Sequence, residues 1–167
     1  MTFVPPGEQD PETIRRILHT ARTVAVVGLS ANPLRPSHFV GFYLQRHGYR
    51  VIPVNPRETE VLGEPSYPSL REIPRELHID VVDVFRAPEA LPAIAAEAVE
   101  IGAGALWGQY GVINPEASRI ARAGGLAVVI DKCLKVEHAR YLGKMHVLGF
   151  NTGTISARRS SSSTGGS

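Results

Sequence analysis

TVAVVGLSANPLRPSHFVGFYLQRHG, residues 23–48, decides the fold. Thr23 to Val27 form an apolar run that ends in Gly28. A polar loop follows, and then Phe39, Val40, Tyr43, Leu44 and His47 recur at helical spacing until Gly48 stops the pattern. A strand this uniformly apolar has no wet face and belongs in a sheet covered on both sides. Strand, loop and helix in that order present backbone N–H groups and a helix N-terminus to a phosphate. The loop reads GLSANPLRPS, however, not G-x-G-x-x-G. A phosphorylated, nucleotide-like ligand other than ordinary NAD is expected.

The same alternation runs through the rest of the chain. Asp10-Pro11-Glu12 reads as the start of a leading helix with Ile14, Ile17, Leu18 and Ala21 on one face. Further strands are expected at Arg50 to Asn55, Ile79 to Phe85, Gly104 to Trp107 and Leu126 to Ile130. A helix with Leu91, Ile94, Ala98 and Ile101 ends at Gly102, and Asn114-Pro115 opens another that Gly124 ends. Residues 57–75, rich in Pro, Gly and Glu, read as a connection with one short helical turn near Leu70. Alternating strands and helices predict an α/β, three-layer Rossmann-like fold: a mostly parallel sheet of five strands or slightly more, with helices on both faces. The domain is expected over 10–145, after an N-terminal extension at 1–9. Residues 146–157 read as an edge strand or extended arm, and the polar RRSSSSTGGS from 158 as a disordered tail.

The bulk properties narrow the function. A net charge of +2 over 167 residues implies no general nucleic-acid surface. No apolar run is long enough to span a bilayer, and the acidic, Pro-rich start carries no secretory signal, so a cytoplasmic location is expected. One cysteine, Cys133, excludes an internal disulfide, and no H-x-x-x-H, H-E-x-x-H or C-x-x-C spacing suggests a metal.

Ligands of open parallel sheets bind outside the carboxyl ends of the strands, so those ends are where a site is sought. After the first strand, Gly28 permits a tight turn, Ser30 and Ser37 offer hydroxyls, and Arg35 offers bidentate geometry to phosphate oxygens. After the second come Asn55, Pro56 and Arg57, where NAD-binding folds usually carry an acid for the ribose. Arg57 there suits a phosphorylated ribose, or else it pairs on the surface with Glu58 or Glu60. Phe85 and Arg86 form either a stacking wall for an adenine or the plain end of a core strand. Trp107 and Gln109 either line a slot for a narrow ligand arm or, in the case of Trp107, fill the core; Tyr110 reads as packing. His38 is either a phosphate contact or a solvated, capping residue, and without a partner it makes no general base. Cys133, flanked by Lys132 and Lys135, is a candidate for thiol exchange with a ligand sulfur or a small buried space-filler.

VAVVGLSANPLRPS, YRVIPVNPRETEVLGEPSYPSL, VDVVDVFRAPE, ALWGQYGVINPEA and VVIDKCLKVEH together closely resemble the small stand-alone CoA-binding proteins of bacteria and archaea. Their domain is similar to the CoA-binding domain of succinyl-CoA synthetase α subunits and of ADP-forming acyl-CoA synthetases. The resemblance runs from about residue 10 to residue 140. It implies coenzyme A or an acyl-CoA as ligand, with Gly28, Leu29, Ser30, Asn32, Pro33, Arg35 and Ser37 on its phosphate arm. It implies Asn55, Pro56 and Arg57 beside ribose and adenine, Phe85, Arg86 and Ala87 across the slot, and Trp107 and Gln109 toward the pantetheine. No catalytic residue is assigned. The leading expectation is non-covalent binding of a small-molecule nucleotide without catalysis, with the protein partner unknown. The alternatives are an NADP-dependent oxidoreductase and a nucleotide- or redox-sensing regulator.

Overall fold

The computed structural model describes residues 10–143. The extension at 1–9, the arm expected at 146–157 and the tail from 158 lie outside the described residues. Contacts divide the chain into one unit ending at Leu134 and a second beginning at Lys135.

In the first unit, helix α1 (Pro11–Thr20) begins as its sequence dictates. The Asp10 carboxylate accepts from Glu12 N–H at 3.2 Å and from the Thr13 hydroxyl at 3.1 Å, and Pro11 occupies the first turn. The strands are β1 (Thr23–Val27), β2 (Arg50–Val54), β3 (Glu60–Val61), β4 (Glu64–Pro65), β5 (Val81–Val84), β6 (Ala105–Gly108) and β7 (Ala127–Val129). Between them run α2 (Pro36–Arg46), α3 (Leu91–Glu100) and α4 (Pro115–Ala123). Five strands pair in parallel in the order β2-β1-β5-β6-β7, the doubly wound arrangement that the alternation predicts. Asn114 caps α4 as expected, its side-chain oxygen accepting from Ala117 N–H at 3.1 Å.

Strand ends depart from expectation by a residue or two: β5 is shorter than 79–85, and β6 runs to Gly108. The connection after β2 holds the helical turn at Leu70–Glu72, and also a small antiparallel hairpin, β3–β4, that the sequence did not announce.

Two layers of packing cover the sheet. One face carries Ala25, Val27, Ile52, Val54, Val82, Val84, Leu106 and Val128, in one core cluster with Leu91, Ala95 and Ala98 of α3 and Ala117 and Ala121 of α4. The alternate residues, among them Val26, Asp83 and Trp107, point to the other face, where they stand side by side across β1, β5 and β6. Trp107 is fully enclosed, its indole N–H donating to Lys132 O at 2.8 Å. Asp83 is equally enclosed, and neither carboxylate oxygen finds a hydrogen-bond partner among the described residues.

The register sets the strand ends level. Val54, Val27, Val84 and Gly108 lie side by side, so Asn55, Gly28, Phe85 and Gln109 leave the sheet along one edge. β2 lies on one side of β1 and β5 on the other, so the winding reverses between β1 and β5, where an open sheet leaves a crevice. Pro53 is accommodated in β2 because that strand is an edge. Its carbonyl faces outward and accepts from Tyr67 N–H at 3.1 Å, so no pairing to β1 needs its missing N–H. Asn55 N–H donates to Tyr67 O at 2.9 Å, so the returning chain covers this end of the edge.

Helix α5 (Leu134–His138) carries the chain into the second unit, where a π-type turn follows at Ala139–Gly143. Arg140 Nη1 lies 3.8 Å from Glu137 Oε1 there. Sequence periodicity did not reveal this short helix.

Candidate functional site

At the β1–β5 crevice the structure brings together Gly28, Ser30, Arg35, Ser37, Asn55, Pro56, Arg57, Phe85 and Arg86, all expected from sequence, with Pro36 and Glu58. They line a cleft of about 660 Å³, within the range of small-molecule sites. Gly28 has φ +90°, and a Cβ there would stand 2.9 Å from Phe85 O and 3.3 Å from Cδ of Arg86. Only glycine meets both conditions, so the Arg86 stem lies across the loop at its first residue.

The loop between β1 and α2 is stiffened by its own side chains. Ser30 N–H donates to Ser37 Oγ at 3.0 Å, Asn32 N–H to Ser30 Oγ at 3.0 Å, and Leu34 N–H to Asn32 Oδ1 at 2.9 Å. Sequence reasoning gave the first turn of α2 several open N–H donors. Pro36 has none, however, and His38 and Phe39 N–H both turn back to Arg35 O, so among the described residues Ser37 keeps the open amide of that turn. The cleft's positive charge comes from guanidinium groups more than from the helix start. Arg35, Arg57 and Arg86 supply three from three different loops, all exposed, and among the described residues Glu58 adds the single carboxylate.

The turn after β2 is fastened to this loop. Asn55 Oδ1 accepts from Arg57 N–H at 2.9 Å, and Asn55 Nδ2 donates across to Leu29 O at 2.9 Å. No ion pair joins Arg57 to Glu58 or Glu60 among the described residues, and Arg57 lines the cleft. Glu58 instead reaches Ala31 N–H at 3.4 Å. Sequence reasoning missed Glu58 as a cleft residue; its place four positions beyond β2 was the available signal.

Several expected residues lie elsewhere. Leu29 is fully buried and offers only its backbone. Asn32, Pro33 and Ala87 are exposed and lie outside the cleft lining. His38 Nδ1 donates to Ser30 O at 2.9 Å, the capping role. Trp107 belongs to the core, and Gln109 is buried with its side-chain oxygen accepting from Leu134 N–H at 3.2 Å. Tyr110, expected as packing, is 61% exposed, and the neighbouring Gly111 N–H donates to Asp131 Oδ1 at 2.8 Å. Cys133 is buried and outside the lining. Among the described residues no His, Cys, Asp or Glu cluster is placed to hold a metal, and no helix is long and apolar enough to cross a membrane.

Residues 22–139 match the CoA binding domain family, a span that includes every strand of the sheet and the whole cleft. The chain belongs to the CoA-binding domain family. An uncharacterized Bacillus subtilis relative, YneT, is 44% identical over 126 residues, covering 75% of this chain and 92% of that one. A solved structure, a hypothetical protein of Pyrococcus horikoshii OT3, is 40% identical with a TM-score of 0.79, covering 86% of this chain and 99% of that one. The ADP-forming acetate–CoA ligase II of Archaeoglobus fulgidus is 29% identical over 89 residues, covering 52% of this chain and only 13% of the ligase. This CoA-binding domain thus corresponds to a small part of that larger protein.

Proposed function

We propose that this chain binds coenzyme A or an acyl-CoA non-covalently in the β1–β5 cleft, without catalysis of its own. The observation that carries the reading is the convergence of Arg35, Arg57 and Arg86 from three loops on one cleft, in a member of the CoA-binding domain family. Coenzyme A carries a diphosphate and a separate ribose 3′-phosphate, which calls for cations at more than one place. Arg35, at the start of α2, serves the diphosphate by bidentate, charge-assisted hydrogen bonds. Arg57, at the end of β2, meets the phosphorylated ribose. Phe85 with Arg86 offers an apolar and cationic wall to the adenine. The partial likeness to an acetate–CoA ligase supports the same ligand class.

Thermal unfolding with coenzyme A, acetyl-CoA, dephospho-CoA, NADP and NAD tests the reading. A ligand at a hundredfold over its dissociation constant adds about 2.7 kcal/mol to the folded state. The two CoA forms should raise the midpoint most, and dephospho-CoA, lacking the phosphate assigned to Arg57, should raise it less. A larger response to NADP would favour the oxidoreductase alternative, because Arg57 equally suits a 2′-phosphate. Silence toward the whole panel would overturn the proposal.

A further inference from the structure

We infer that Glu58 is a built-in competitor for the ligand's phosphate, an internal carboxylate that occupies one loop amide until a phosphorylated ligand displaces it. The inference rests on the cleft being the anion site proposed above. The amides of the loop after β1 carry it. Those of Ser30, Asn32, Leu34 and Arg35 all bond within the loop and the start of α2, at 2.9 to 3.0 Å. Ala31 alone among these five turns outward, and its acceptor is Glu58 Oε2 from the turn after β2, at 3.4 Å. That is the longest of the five and a weak bond by geometry.

Among the described residues, Glu58 is also the only carboxylate lining a cleft that holds three guanidinium groups. Its backbone is fixed, its N–H donating to Asn55 O at 3.2 Å, so only the side chain has to swing. A phosphate oxygen makes a shorter, charge-assisted bond to the same N–H and displaces the carboxylate. The displaced charge stays tethered to the cleft and opposes any anion that enters. A tethered competitor acts at high effective concentration, so small anions with few contacts are excluded. A ligand that engages several arginines at once overcomes it. Glu58 therefore raises the affinity that any phosphate must bring to occupy this subsite, a threshold that free phosphate or pyrophosphate has fewer contacts to meet.

The test pairs calorimetry with amide NMR on wild type and Glu58→Gln, using inorganic pyrophosphate and coenzyme A as probes. Two unit charges about 4 Å apart in a water-like medium repel by about 1 kcal/mol, so removing one should tighten pyrophosphate binding about fivefold. Coenzyme A should tighten by a similar factor, and the Ala31 amide resonance of wild type should move on adding pyrophosphate. Pyrophosphate affinity that is unchanged or weaker in Glu58→Gln overturns the inference, as does an unmoved Ala31 amide or no pyrophosphate binding by either protein. If pyrophosphate behaves as expected while coenzyme A binds neither protein, the role of Glu58 stands and the CoA reading falls.

Discussion

Asp83 is a carboxylic acid where the fold offers it little. It stands in the middle of the sheet between Val26 and Trp107, wholly enclosed, with no partner for either oxygen among the described residues. Burial therefore pushes its pKa well above the ordinary 3.8 and favours the neutral carboxyl in the folded state. In the unfolded chain the group ionises near 3.8, so above that pH the folded state holds a proton that the unfolded state has released. The associated stability is complete below 3.8 and is lost as pH rises toward the folded value, by up to about 1.4 kcal/mol per pH unit. Asp83→Asn, neutral throughout, should escape this loss and gain on wild type steadily as pH rises. Urea unfolding of both proteins at several pH values from about 4 upward measures it. Parallel stability profiles would mean that Asp83 is charged in the fold, against this assignment. The sequence showed Asp83 only as a polar interruption of an apolar strand. Nothing in its neighbours in the chain revealed that its lateral partners would be a valine and a tryptophan.

Two of the loops that line the cleft are tied together, and Asn55 is the knot. Its side chain holds Arg57 in the turn after β2 and reaches Leu29 O in the loop after β1. Asn55→Ala removes both bonds, each worth about 1 kcal/mol to stability. The larger effect should fall on binding, because Arg57 would have to be ordered by the ligand itself. Coenzyme A affinity should drop about tenfold or more while the unfolding midpoint falls by only a few degrees; equal affinity in the two proteins would show that the turn holds its shape without Asn55. The five strands of the sheet were legible in the sequence, since each is an apolar run with a turn residue beyond it. The β3–β4 hairpin was not, because its turn places Leu62 at φ +55° beside Gly63 at +80°. Asparagine or aspartate is the usual occupant of such a position, and a leucine there sends no signal. The cleft was legible loop by loop, since the strand ends name it. The contact of Glu58 with Ala31 was not, because it joins residues 27 apart that meet only once β1 and β2 are in register.

At the scale of the whole molecule, Cys133 serves as a reporter. A buried thiol reacts with a labelling reagent only when the protein opens around it. If that opening is global unfolding, coenzyme A at a hundredfold over its dissociation constant should slow labelling about a hundredfold. A labelling rate indifferent to the ligand would show a local opening near Leu134 that leaves the cleft intact. The edge of the sheet carries a different lesson, about the company the protein keeps. An uncovered edge strand offers its row of amides and carbonyls to any other chain with an extended segment. Here β2 presents Pro53, which has no donor to offer, and the backbone of Tyr67 already holds the carbonyl of Pro53 and the amide of Asn55. At the opposite edge β7 is only three residues long. The sheet of the described residues therefore offers few places where one molecule's strands can be continued by the next, and ordered aggregation by strand addition finds little template there.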